Sequence, residues 1–346
     1  MIAPIYLTSN QPAERFYRGG NKIRSFRGLA AEGDRVPEDW VGSTTTLFGN
    51  TSKGLSELPG GGLLIDAISA DPEAWLGPEH ISKFGSDSML LVKLLDAGER
   101  LPIHVHPNRC FAAEHLGRRH GKAEAWYILD GGTVHLGFKR DVESEELGRW
   151  VSGQDSQAML EAMHEVSVTA GDGVYIPPGL PHAIGAGVFL LELQEPEDLS
   201  ILLEWKGFNI DGAADGNLGL GFTTALQAAE RRQYTELELQ GLVTRADGEF
   251  APFPVGSEEY FRGERVDVSS RVALDQGFSI LVVVEGQGTL TTGNATASAL
   301  IRGDTVLVPY SAGALEITGA LRLLRCRPPA TSAESSGRAT GSGARP

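Results

Sequence analysis

Glycine and proline set the grain of this chain. Forty-four glycines and eighteen prolines punctuate apolar runs short enough to be strands, and turn residues bound most of them. One set comprises SMLLVKLLDA (88–97), EAWYILDG (124–131), TVHLGF (133–138), GVYIPP (173–178) and GVFLLELQ (187–194). A second comprises FSILVVVEGQGTL (278–290), DTVLVP (304–309) and LRLLRC (321–326). This pattern predicts an all-β protein. Two segments depart from it. SQAMLEAMHE (156–165) spaces its apolar residues helically, and TTALQAAERRQY (223–234) is rich in helix formers and falls between the two strand sets.

The two sets resemble each other. GDGVYIPPG (171–179) and GDTVLVPYSAG (303–313) both begin Gly-Asp, run through an apolar strand and meet a proline at a turn. GGTVHLGF and GQGTLTTG stand upstream of them in equivalent places. An internal duplication of a small β-barrel or jelly-roll unit is expected. The length of 346 residues agrees, because single cores stop growing near ~250–300 residues. The last nineteen residues, from Pro328, hold almost nothing apolar and are expected to form a disordered tail.

Composition narrows the function. A net charge of −15 argues against nucleic acid as a partner, since phosphate-backbone binding needs a basic surface. A small anionic ligand is still compatible with a local Lys/Arg pocket. Two cysteines, Cys110 and Cys326, are too few for a disulfide framework and fit a reducing cytoplasm. No signal peptide and no membrane span are expected, because no apolar stretch is long enough. The sequence does not specify an oligomeric state.

The stretch HVHPNRCFAAEHLGRRHGKAEAWY (104–127) carries four histidines and two glutamates. His104 and His106 are two apart, so on a strand their imidazoles share a face. Glu124 opens the following strand. His182 closes GDGVYIPPGLPH, where Pro177, Pro178, Gly179 and Pro181 hold a rigid bend. Three histidines and a carboxylate suit one first-row divalent ion, with Zn2+ favoured and manganese, iron, cobalt or nickel equally compatible with the spacing. Glu114, His115 and His120 lie in a polar connection and are expected to face solvent.

HVH, the later Glu124 and the motif G-x5-P-x-G-x2-H, met by Gly171, Pro177, Gly179 and His182, resemble the cupin superfamily. More narrowly, IHVHPN, GKAEAWYIL and GDGVYIPPGLPHAIGAGVFLLELQEPED are similar to the zinc-dependent class I mannose-6-phosphate isomerases. ERFYRGGNKI, EDWVGS, EEYFRGERVDV and IRGDTVLVPYSAG extend the likeness to about Cys326. The resemblance implies two cupin domains with a small helical connection. Their expected limits are 1–205 for an N-terminal segment with the metal-binding cupin, 206–235 for the connection, 236–327 for a second, metal-free cupin, and 328–346 for the tail. It implies metal ligation by His104, His106, Glu124 and His182, with His104 standing where the family usually has glutamine.

The activity so implied interconverts mannose 6-phosphate and fructose 6-phosphate through an enediol. Such chemistry needs stabilisation of a developing negative charge and a group that takes and returns a proton. Lys122 and Asp198 correspond to pocket residues of the family. Glu192 and Gln194 are polar and two apart on an otherwise apolar strand, which points to a functional cavity. Lys122, Glu192 and Asp198 are therefore the candidate catalytic residues. The chain departs from the family at Leu202, where an arginine is usual. Arg18, within Tyr17-Arg18-Gly19-Gly20, and Lys206 are candidates to supply the missing charge to the substrate. An unphosphorylated or different sugar, or a non-catalytic sugar-binding role, is the alternative.

Overall fold

Every one of these apolar runs contains a strand in the computed structural model, which describes residues 2–246, 251–293 and 297–331. The strands form three sheets of seven, six and five members. The ladders are antiparallel throughout, as short turns between successive strands require.

Two compact units result. One draws on Ser9–Leu55 and Leu91–Ser257, the other on Met1–Thr8, Ser56–Leu90 and Glu258–Pro346. These limits differ from the sequence boundaries expected at 205 and 235. Sheet edges explain the difference, since each segment joins the edge that it covers. Ile5–Tyr6 pairs with Thr305–Val308, and Val243–Thr244 pairs with Gly173–Ile176. Residues 206–257 thus belong with the histidine-bearing unit.

That unit contains the six- and five-stranded sheets. The first runs Val243–Thr244, Gly173–Ile176, Glu124–Asp130, Phe189–Gln194, Leu91–Asp96, Glu38–Val41. The second runs Ile201–Leu202, His104–Val105, His182–Ile184, Gly132–Phe138, Met163–Val168. Trp126, Ile128, Val174, Ile176 and Leu190 of the first pack with Val134, Leu136 and Ile184 of the second in one buried cluster. Burial of such side chains stabilises by about 1.5–3 kcal/mol each, which fixes the strands that carry the polar groups described below.

The expected helix at 156–165 ends early. Asp155 caps Ser156–Ala162 by accepting the Ala158 N–H, and Met163 already begins a strand paired with Phe138. At 223–234 only Phe222–Ala225 and a tight turn, Leu226–Ala228, are helical. Beyond them the backbone is drawn onto the sheet, where Glu230 N–H reaches Gly179 O and Tyr234 N–H reaches Phe138 O.

In the other unit, three short helices at Leu64–Ala70, Pro72–Leu76 and Pro78–Phe84 were not legible as periodic segments. The last of them, together with Arg262, holds the start of the expected tail. Lys83 Nζ donates to Ala330 O, Thr331 Oγ1 donates to Glu79, and Arg262 Nε donates to Pro328 O. Pro328–Thr331 is therefore packed, and Thr331 is buried. The rest of that tail, 332–346, lies outside the described residues. Among the described residues no helix is long and apolar enough to cross a membrane.

Candidate active site

The histidines converge because two short strands pair and a turn is locked. His104 and His182 stand directly opposite each other in the ladder, and His106 follows just beyond its strand. Gly179 adopts φ +93°, and a Cβ there would approach Glu230 Cγ to 2.9 Å. Only glycine makes that bend without strain. The Gly179 N–H also donates to His106 O, tying the turn to the first histidine pair.

Each imidazole is held from behind. The Nδ1 atoms of His104, His106 and His182 lie 2.8 Å from the carbonyl oxygens of Pro102, Leu199 and Leu180. A carbonyl can only accept, so each Nδ1 carries the proton and each Nε2 presents a lone pair to the cluster. The ligand atoms lie within 4.8 Å of one another. His182 Nε2 is buried with no hydrogen-bond partner among the described residues. An inward-facing orphan of this kind is what a metal ligand looks like when its backing carbonyl is in place.

Glu124 reaches the same point from the other sheet. Its oxygens lie 3.1 Å from His106 Nε2 and 3.4 Å from His182 Nε2. Lys122 Nζ lies 2.8 Å from Glu124 and 3.0 Å from His106 Nε2. Burial, the neighbouring imidazoles and Lys122 push His104 well below the ordinary imidazole range. Burial and Lys122 bring His106 to about 3. Burial opposes ionisation of Glu124, but Lys122 and His106 outweigh it and hold the carboxyl well below its usual value. His104, His106 and Glu124 are thus held in the forms that a divalent ion requires.

A cavity of 510 Å³ opens beside this cluster. Along its polar wall the charges alternate. Arg15 Nε and a second guanidinium nitrogen lie 2.9 and 2.8 Å from Glu38 Oε1. Glu38 also accepts from Tyr17 Oη and Trp40 Nε1. Lys93 Nζ sits 3.6 Å from Glu38 and 3.4 Å from Glu192, over the Trp40 ring. The ladder sets this order, because Lys93 faces Trp40 on one side and Glu192 on the other. Burial and the Glu124 charge raise the Glu192 carboxyl above its usual range despite Lys93 and Lys122.

Known proteins match this architecture. A family model described as the cupin domain of mannose-6-phosphate isomerase matches residues 252–328. A mannose-6-phosphate isomerase of Streptococcus mutans is 27% identical over 339 residues, covering 94% of this chain and 98% of the relative. One from Bacillus subtilis is 27% identical over 321 residues, covering 87% and 92%. A crystal structure of the mannose 6-phosphate isomerase from Bacillus subtilis superposes with a TM-score of 0.70 at 25% identity, covering 94% of this chain and all of that one. A phosphomannose isomerase variant from Salmonella typhimurium shares the fold, with a TM-score of 0.72 at 17% identity and coverage of 95% and 100%.

The chain belongs to the cupin mannose-6-phosphate isomerase family. Against that family, the structure brings together most of the residues expected from sequence. His104, Lys122, Glu124, Glu192 and Asp198 line the cavity, and His106 and His182 complete the histidine cluster behind it. Asp198 accepts the Phe48 N–H at 3.1 Å. Leu202 also lines the cavity and faces His104 across the ladder.

Arg18 and Lys206 are not brought there. Tyr17 turns inward and is buried, so Arg18 turns out toward Asp34, 3.7 Å away, with 58% of its side chain exposed. Lys206 is exposed just past Trp205, where its backbone N–H binds Gln154. Sequence reasoning missed Arg15, Glu38 and Lys93, which do line the cavity. One signal was available for Lys93, a charge inside the apolar run SMLLVKLLDA. Arg15 and Glu38 lie in segments with no period to mark a face.

His120 is a second correction. It is buried rather than solvated, with Nδ1 3.7 Å from Glu195. Glu195 accepts Arg109 Nε at 2.6 Å and the Ala123 N–H at 3.0 Å. It therefore clamps the peptide between Lys122 and Glu124. Glu114 is exposed as expected, whereas His115 is half-buried, with its ring 4.4 Å from that of Phe111.

Proposed function

We propose that this chain interconverts mannose 6-phosphate and fructose 6-phosphate in a metal-dependent isomerisation. The observation that carries the reading is one cavity lined by buried Lys122, Lys93 and Glu192 and by His104, the member of the three-histidine cluster that opens onto it. The reading also has each unit built as a jelly roll of the cupin kind, with the metal in the unit that carries the histidines. Its cytoplasmic setting accords with two unpaired cysteines.

His104, His106, His182 and Glu124 would hold the ion, and their nitrogen and oxygen donors favour zinc. When bound, it would polarise the substrate's carbonyl and adjacent hydroxyl oxygens. The chain's own groups do the rest. Lys122 presents an ammonium whose charge is reinforced by Glu124 and Glu192 against the cost of burial, and it stabilises charge on the enediol oxygens. Glu192 takes a proton from one sugar carbon and returns it to the neighbouring carbon. Burial and the Glu124 charge raise its pKa, the direction that suits a carboxyl which must both accept and release a proton. Asp198, on the cavity wall, orders substrate hydroxyls.

A coupled assay on mannose 6-phosphate and on free mannose, with and without chelator, tests the reading. Chelator-sensitive turnover of the ester is expected. Turnover of free mannose alone would replace the substrate, and turnover of neither by metal-loaded protein would sink the activity.

A further inference from the structure

Resting on that reading, we infer that Arg15 is the residue that recognises the substrate's phosphate and so sets its preference for the phosphorylated sugar. Three cations line the cavity: Arg15, Lys93 and Lys122. Their order along the wall decides between them. Lys122 contacts His106 and Glu124, so it stands at the histidine end. Lys93 stands between Glu38 and Glu192, with 4% of its side chain exposed. Arg15 is reached last, on the far side of Glu38. The reacting carbons of an aldose are C1 and C2, and the phosphate is on C6 at the opposite end of the molecule. With C1 and C2 beside the histidines, the phosphate is carried toward Arg15.

The chemistry of the side chain fits. A guanidinium has five N–H donors in a planar fork. Glu38 takes Nε and one terminal nitrogen. No other acceptor among the described residues bonds the guanidinium, and its side chain keeps 16% exposure. The second edge of the fork is therefore open to the cavity. Glu38 fixes the first edge, so the donors are placed before substrate arrives. The backbone is also arranged to present Arg15. Glu14, just before it, is an exposed non-glycine residue at φ +63°, and the Arg15 N–H is tied to Arg35 O. Such a conformation persists where surrounding structure over-determines it. Leu202 has no part in this end of the cavity, because it stands opposite His104.

The test uses full-length, metal-replete protein and the variants Arg15→Gln and Arg15→Lys, with metal content measured in each. Calorimetric binding of mannose 6-phosphate, inhibition by inorganic phosphate, and steady-state kinetics on the ester and on mannose are compared. Arg15→Gln should weaken ester binding and phosphate inhibition by about tenfold to a hundredfold, as loss of a charge-assisted contact predicts. The preference for the ester over mannose should shrink by a similar factor. Arg15→Lys keeps a charge beside Glu38 but not the fork, and should fall between. If Gln proves unstable, the Lys variant alone decides. Ester binding and phosphate inhibition within about twofold of the parent in the folded variants would overturn the inference. If the parent binds the ester through Arg15 but does not isomerise it, the activity reading fails and this inference stands. If it isomerises the ester and the variants are unchanged, the reverse holds.

Discussion

The segments Gly171–His182 and Gly303–Gly313 begin alike and end differently. Gly171 and Gly303 adopt φ +92° and +95°. Asp172 accepts the N–H of Thr169 at 3.0 Å, and Asp304 accepts that of Ile301 at 2.8 Å, three residues back in both cases. Each aspartate then leads into a four-residue buried strand, Gly173–Ile176 or Thr305–Val308. After the proline the two part company. The first turns through Gly179 and delivers His182 with its Nδ1 backed by Leu180 O. The second makes a tight turn at Tyr310–Ala312 and continues as a strand from Leu315. The turn-and-strand device is a backbone property that can be repeated, whereas chemistry depends on the residue delivered just beyond it.

The largest effect should come from removing the histidine that only the first segment delivers, together with His106, to which its turn is tied. A His106→Ala/His182→Ala variant should lose its metal and all measurable activity. Elemental analysis should give about one equivalent per chain before and almost none after. Full retention of metal would place the ion elsewhere and break the comparison.

Glu195→Gln should act next most strongly. It keeps an acceptor for the Ala123 N–H but drops the charge that holds Arg109 and His120. Metal affinity should fall by about tenfold or more, as for other groups that orient a ligand from behind, while KM for the sugar changes little. A competition titration with a metal chelator measures it. Unchanged affinity would show that Glu124 needs no such clamp.

The metal-stripped protein should be acid-sensitive through its buried histidines. His106 is depressed from 6.5 to about 3. The unfolded chain therefore binds the extra proton first as pH falls. Stability is fully present above about 6.5 and declines progressively toward 3. Denaturant melts across this window should show the decline. Metal should flatten its upper part, because a proton must then displace the ion.

The smallest effect belongs to the other unit. A chain ending at Arg327 should be less stable than one ending at Thr331 by about 1–3 kcal/mol, the range for a few hydrogen bonds. The bonds lost involve Lys83, Glu79 and Arg262. Metal content and KM should not move. Equal melting temperatures would restore the expectation of a dispensable tail from Pro328.

Much of the site was legible because its signals are local. HxH, a carboxylate opening a strand and a proline-glycine turn before a histidine each depend on neighbours within a few residues, and the structure joins them. Glu192 was legible for the same reason, as a polar residue breaking an apolar strand, whereas Lys122 was chosen from the family resemblance and lies just before the strand that Glu124 opens. Arg18 and Lys206 were chosen for charge and proximity in sequence, and both face outward. A turn of one residue exchanges inside for outside, and no local rule distinguishes Arg15 from Arg18 three positions later.

The sequence by itself determined the strands, the repeated Gly-Asp turn and the histidines that one cluster would gather, since backbone preference and period-two burial act over a few residues. The tertiary structure decided which sheet edge each segment joined, which buried charges became neighbours and which arginine faced the cavity. Those outcomes depend on pairings between residues far apart in the chain, such as Arg15 with Glu38, Lys93 with Glu192, and Glu195 with the peptide at Ala123. A charge is tolerated in the interior only where folding supplies its partner.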